Sequence, residues 1–307
     1  MDMRLKGDWY IERLTRDEIH GHLVSRRVAR IKTPFQTAEV VDTRDYGRVL
    51  FIDGLVQSAE VDEFIYHESL IHPALMLHPE PRRVFIGGGA EGANLREVLK
   101  HPSIREIVMV EIDEQVVRLA RKYLWSWHRG TYDDPRVQLH YEDALAFLKK
   151  NDATYDCLYL DLTDPGEGGP AQKLFTVEFY RLIRSRLARN GLAVIQAGSA
   201  NLNMAEGFTS VYQSLKKAFK LVLPYIVSVP VYVGPWAFFL AGNEPPRQGD
   251  SDKVLAQRFT FRKLKGRTRF YEPAVHRAAF TIPPYYRDLL EQGRSISKKN
   301  LLLMKRG

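Results

Sequence analysis

Apolar and polar positions change rhythm three times along the chain. As far as about residue 60, short alternating runs broken by turn residues predict a small antiparallel β domain over residues 1–60, with Ala38-Glu39-Val40-Val41 and Arg48 to Ile52 ending at Asp53-Gly54. From Asp62 the spacing turns helical: Phe64, Ile65, Leu70, Ile71, Ala74 and Leu75 share one face before Pro79 and Pro81 stop the run. After Pro81, apolar runs and amphipathic stretches take turns. Strands are expected at Val84 to Ile86, Ile107 to Val110, Val137 to Leu139 and Cys157 to Leu160, with helices from about Ala93, Glu114 and Ala144. Alternation of this kind predicts βαβ units, and so an α/β doubly wound sheet. A helix over Thr176 to Leu187, a strand over Leu192 to Ile195 and two strands between Leu221 and Asn243 complete a main domain of residues 61–245. Past Pro245 the pattern loosens into a basic linker, and 246–307 is set apart as a C-terminal extension.

Composition narrows the class. Hydrophobic residues are 45% and charged residues 27% of the 307, which suits a packed globular enzyme. The single cysteine, Cys157, sits in an apolar run and has no internal partner, so a buried strand thiol in a reducing, cytoplasmic setting is expected. No secretory signal follows the charged N-terminus. Leu221 to Asn243 carries no charged side chain, yet Pro224, Pro230 and Pro235 exclude a membrane helix there. The net charge of +8 gathers in Arg258 to Arg269 and Lys298 to Arg306, which read as solvated faces, with no nucleic-acid motif beside them.

Candidate chemistry begins at a glycine-rich turn, Gly87-Gly88-Gly89-Ala90-Glu91-Gly92, that follows a strand and opens a helix. Glu111 ends the next strand, where an acid accepts hydrogen bonds from ribose hydroxyls, so an adenosine-containing ligand is expected. Glu91 within the turn favours a cationic group over a pyrophosphate. Asp143, before Ala144, is open to two readings: a partner for an adenine amino group or a helix N-cap. Asp161 and Asp164, directly after a buried strand, stand where open sheets bind ligands. With no histidine or third acid at ligand spacing, an amine site is expected there and no metal. His72, His78 and His101 read as structural.

Taken in order, these segments resemble the spermidine synthase family of polyamine aminopropyltransferases. The resemblance runs from about residue 30 to 242 through Lys32-Thr33-Pro34-Phe35-Gln36, Asp53 to Ser58, Asp62 to Glu68, the glycine turn with Leu95 to Pro102, Val110 to Asp113 and Asp161 to Pro165. It implies a Rossmann-like, methyltransferase-type sheet behind the small β domain. The implied reaction moves an aminopropyl group from decarboxylated S-adenosylmethionine to a polyamine. Putrescine is the default acceptor, spermidine or agmatine the alternative, and methylthioadenosine the product, with no tightly bound cofactor. Carried over by motif, Gln36, Gly87, Gly89, Glu91, Glu111, Asp143, Ala144 and Pro170 surround the nucleoside. Gln57, Tyr66, His67, Glu91, Asp161, Asp164 and Tyr232 meet the amine, with Asp161 as proton acceptor and Tyr66 and Asp164 orienting the nucleophile. A homodimer or homotetramer is implied. Three departures stand out: Ala90 replaces a family glycine, Val61 a family arginine, and the stretch Asp164 to Pro170 is long, as in the thermospermine synthase and agmatine branch. The rival readings are an S-adenosylmethionine-dependent methyltransferase and a non-catalytic polyamine-binding module.

Overall fold

The computed structural model describes residues 6–164, 170–244 and 251–302. Among these, five strands make an antiparallel meander in sequential order: β1 (Trp9–Arg13), β2 (Ile19–Lys32), β3 (Thr37–Thr43), β4 (Gly47–Ile52) and β5 (Leu55–Ala59). The alternating runs at 38–41 and 48–52 fall in β3 and β4, whereas β1 and the long, largely polar β2 left no comparable apolar signal.

The second sheet collects β6 (Arg83–Gly88), β7 (Glu106–Glu111), β8 (Val137–Tyr141), β9 (Tyr155–Asp161), β10 (Leu187–Ser199), β11 (Leu221–Val229) and β12 (Gly234–Gly242) in the order β11-β12-β10-β9-β6-β7-β8. Strands β6 to β10 are parallel; β12 runs antiparallel to both β10 and β11. This is the expected doubly wound, methyltransferase-type sheet. Strand order reverses between β6 and β9, which opens a crevice at their carboxyl ends. Alternate side chains feed two cores. Val84, Ile86, Cys157 and Tyr159 enter one, while Phe85, Leu158 and Leu160 enter the other. Burial on both faces explains why these strands read as continuous apolar runs.

Helix α1 (Glu63–Leu77) links the sheets. Sequence periodicity predicts one apolar face, but the helix is buried on nearly every side, with Glu63, His67, Glu68 and His72 enclosed as well. Pro73 within it has no N–H to give Ser69 four residues back, and the Tyr225 hydroxyl donates to that carbonyl instead at 2.9 Å. Around the main sheet pack α2 (Ala93–Val98), α3 (Glu114–Tyr123), α4 (Trp125–His128), α5 (Ala144–Lys150), α6 (Val177–Ser185) and α7 (Glu206–Lys216). The last of these had no counterpart in the sequence reading.

The C-terminal segment corrects that reading. Instead of a linker it forms α8 (Asp252–Phe261), α9 (Pro273–Phe280) and α10 (Pro284–Glu291). Its arginines are not all solvated. Helix α1 ends with carbonyls that have no partner within the helix. Arg258 donates to those of Met76 and Leu77 at 2.8 and 2.7 Å, and Arg262 to those of Leu75, His78 and Pro79. Burial lowers the Arg262 guanidinium to about 10. Glu68 in turn accepts the backbone N–H groups of Arg269, Phe270 and Tyr271. The run at 221–243 is the β11–β12 pair, and no described helix is long and apolar enough to cross a membrane.

Replacing Arg262 by methionine strands the buried carbonyls of Leu75 and His78 and removes the donor to Pro79, so urea unfolding should show a loss of about 2–4 kcal/mol. The exposed Lys265→Met control should stay within about 0.5 kcal/mol.

Candidate active site

In the parallel register Gly88 of β6 stands beside Asp161 of β9. A Cβ on Gly88 would lie 2.0 Å from the Asp161 carbonyl oxygen, and its φ of +87° is left-handed, so glycine is required for this approach. Gly89, at φ +79°, carries the chain over into α2, where the Asn94 amide donates to Asp161 Oδ2 at 2.6 Å. The Tyr66 hydroxyl, projecting from α1, donates to Oδ1. Ala90 needs no glycine: its backbone is not left-handed, and its carbonyl accepts the Tyr132 hydroxyl at 2.6 Å.

Asp161 opens onto a cavity of about 640 Å³ enclosed between the N-terminal sheet and the crevice. Of the residues singled out in the sequence, Gln36, Gln57, Tyr66, Gly89, Glu91, Glu111, Asp143, Ala144, Asp161, Asp164 and Tyr232 line it together. Gly87 and His67 do not. Gly87 lies within β6, and His67 is buried behind the wall with its Nδ1 2.8 Å from Glu63 and its Nε2 3.0 Å from Glu91. The Pro170 side chain and residues 165–169 lie outside the described residues.

The charges around this cavity set each other. Desolvation and then the Glu91 charge raise the Asp161 carboxyl to about 6, while His67 and the hydrogen bonds from Tyr66 and Asn94 pull it down. Burial alone would lower His67; its two carboxylate partners outweigh burial and raise it to about 10, so it is an imidazolium at neutral pH. Both of its nitrogens are engaged by carboxylates, and its donor atoms and those of Glu91 and Asp161 lie within 4.8 Å of one another. Sequence spacing had shown no histidine near Asp161; folding supplies one. Behind it, Arg96 donates to Glu63 at 2.8 Å and to Glu97 at 2.8 Å, and Glu97 also meets His72 at 3.0 Å. His72 contacts His101 at 2.9 Å, so these two histidines are structural, as expected.

One end of the cavity suits a nucleoside. Desolvation raises Glu111 to about 7, against the pull of the Asp113 backbone N–H that reaches its Oε1 at 3.0 Å. Gln36 and Thr33 both donate to Asp113, tying the first sheet to the end of β7. Asp143 caps α5 through the Ala146 N–H at 2.7 Å while also facing the cavity, so its two readings are compatible. Toward the other end the walls are aromatic and acidic. Tyr66 and Tyr232 meet edge to face at 5.8 Å, Tyr232 and Trp236 lie 4.4 Å apart, and the Tyr232 hydroxyl donates to the Gln57 carbonyl at 2.5 Å. Such faces attract a cation. Gln196, at the end of the predicted strand 192–195, donates to the Leu162 carbonyl and lies 3.4 Å from Asp164. Asn94, Gln196 and Trp236 were not foreseen. Asn94, five residues after Gly89, and Gln196, the first polar residue after an apolar strand, were the visible hints.

Comparison with known proteins agrees with this geometry. Residues 63–252 match the spermine/spermidine synthase domain, and residues 9–60 the spermidine synthase tetramerisation domain. The polyamine aminopropyltransferase of Sulfurisphaera tokodaii is 40% identical over 95% of this chain and 96% of its own length. That of Sulfolobus acidocaldarius is 37% identical with the same coverage. Among solved structures, spermidine synthase from Thermotoga maritima superposes with a TM-score of 0.84 at 29% identity over 94% of this chain and 95% of the other. A spermidine synthase in complex with the transition-state analogue AdoDATO reaches 0.86, also at 29% identity, over 94% and 96%. An acid-lined crevice at the strand reversal, a tyrosine and an asparagine clamping one aspartate, and sequence relatives spanning nearly the whole chain agree: this protein belongs to the spermine/spermidine synthase family of polyamine aminopropyltransferases.

Proposed function

We propose that the chain transfers the aminopropyl group of decarboxylated S-adenosylmethionine to a polyamine, with putrescine as default acceptor and spermidine or agmatine as alternatives, releasing methylthioadenosine. The observation that carries this reading is the Asp161 carboxylate, clamped by Tyr66 and Asn94 and facing a cavity with a ribose-type acid at one end and aromatic, acidic walls at the other. The analogue-bound spermidine synthase among the structural neighbours supports a donor site of this kind.

An alkylamine has a pKa near 10, so at pH 7 about one molecule in a thousand carries a free lone pair, a deficit of roughly 4 kcal/mol. Asp161, largely ionised at that pH, takes the proton as nitrogen attacks the propyl carbon. The carbon–sulfur bond breaks and its electron pair neutralises the sulfonium. Tyr66 and Asn94 hold the acceptor oxygens in place, so little reorganisation is left for the transition state. Asp164 and Glu91 hold the amine's remaining charge, with Glu91 fixed from behind by His67. A methyl donor, by contrast, would bring its own carboxylate close to Glu91. Val61, in place of the family arginine, is 51% exposed and does not line the cavity. The match of residues 9–60 supports a homo-oligomer, dimer or tetramer, and we place the enzyme in the cytoplasm.

Three measurements test this reading. Asp161→Asn should cut kcat by about 10²–10⁴ while calorimetry shows methylthioadenosine binding nearly intact; undiminished turnover removes Asp161 from the mechanism. Because the base form of Asp161 is lost as pH falls through about 6, kcat/KM should drop on an acid limb near that pH. Asn94→Ala removes a donor to the ionised form, so the limb should move upward; a limb that does not move assigns it to another group. Mass spectrometry after incubating decarboxylated S-adenosylmethionine with putrescine, agmatine and spermidine identifies the acceptor. Methylated products from S-adenosylmethionine itself would reverse the reading.

A further inference from the structure

Far along the chain from Asp161, the first sheet carries a donor cluster that the proposed reaction does not use. His20 and His22 are two apart on β2, so both imidazoles leave the same face of the strand. The β1–β2 register sets Glu12 opposite His20, with His22 the diagonal neighbour on the same face. Glu12 Oε1 lies 2.7 Å from His22 Nε2 and 3.3 Å from His20 Nδ1, and the donor atoms of all three residues fall within 4.8 Å of one another. Glu12 and His22 are 1% and 3% exposed. His20 Nδ1 is shielded from solvent and makes no hydrogen bond. The second carboxylate oxygen of Glu12 accepts the Val56 N–H at 2.5 Å, which orients the group as ligating carboxylates commonly are.

We infer that Glu12, His20 and His22 form a binding site for one divalent transition-metal ion of the zinc, cobalt or nickel kind. Two imidazoles and one carboxylate suit these ions better than magnesium or calcium, which favour all-oxygen shells. Tetrahedral bonds of about 2.1 Å place donors roughly 3.4 Å apart, close to the His20 spacing, and the His22 contact opens by less than about 1 Å to meet it. Glu12 also lines the substrate cavity, so the ion adds positive charge to that wall. The binding itself does not depend on the reading of the reaction.

Untagged wild-type protein, stripped with chelator, is titrated with Co²⁺ and followed by its visible absorption. The site predicts one equivalent bound with a tetrahedral-type spectrum, displaced by Zn²⁺. Affinity should fall at least tenfold in His20→Ala, a partly exposed position outside the apolar core, and in His22→Phe, which keeps the packing against Phe51 and Tyr46. Asp161→Asn should bind as the wild type does. No saturable Co²⁺ binding, binding unchanged in His20→Ala, or binding lost in Asp161→Asn would each overturn the assignment.

Discussion

The whole site depends on keeping negative charge in a place where water cannot stabilise it. Asp161, Glu91 and Glu111 all face one cavity, and burial pushes the Asp161 and Glu111 carboxyls above the usual carboxylate range. The fold answers with fixed cations and donors behind the wall rather than in it. His67 sits between Glu91 and Glu63, Arg96 between Glu63 and Glu97, and Lys100 and His72 meet Glu97 from the far side. This alternation leaves the Asp161 carboxyl, at about 6, mostly ionised at neutral pH in spite of its burial.

That arrangement requires a rigid α1, since the helix carries both Tyr66 and His67. It is an awkward helix, polar in part, buried on nearly every side and with Pro73 inside it. Its rigidity comes from outside. Tyr225 and Tyr159 bond to the carbonyls of Ser69 and Ile71, and Arg258 of α8 and Arg262 just after it close its C-terminus. The C-terminal segment, whose described residues make no contribution to the cavity lining, therefore supports the position of the residues that do.

The N-terminal sheet has a comparable indirect part. It supplies Glu12, Gln36 and Gln57 to the cavity, and the bonds from Gln36 and Thr33 to Asp113 lock it over the end of β7. Arg48 adds a further tie to the Tyr123 carbonyl of α3 at 2.8 Å. A crevice that would otherwise lie open at the strand reversal becomes an enclosure, and enclosure is what raises Asp161 and Glu111.

Sequence by itself determined the parts of this protein whose physics is local. Period-two and helical patterning marked β3, β4 and the βαβ series, the glycine turn announced a close backbone approach, and acids at strand ends pointed to the crevice. Where neighbours far along the chain decide the outcome, pattern was silent or misleading. Helix α1 looked one-faced because nothing local shows that α8 and the strands will cover its other sides, and Arg258 and Arg262 looked solvated for the same reason. Likewise, no spacing rule brings His67 between two glutamates, Asn94 onto Asp161, or His20 and His22 onto Glu12. Tertiary structure alone made those contacts, because a side chain's charge and role follow from the groups folding places around it, and those groups come from anywhere in the sequence.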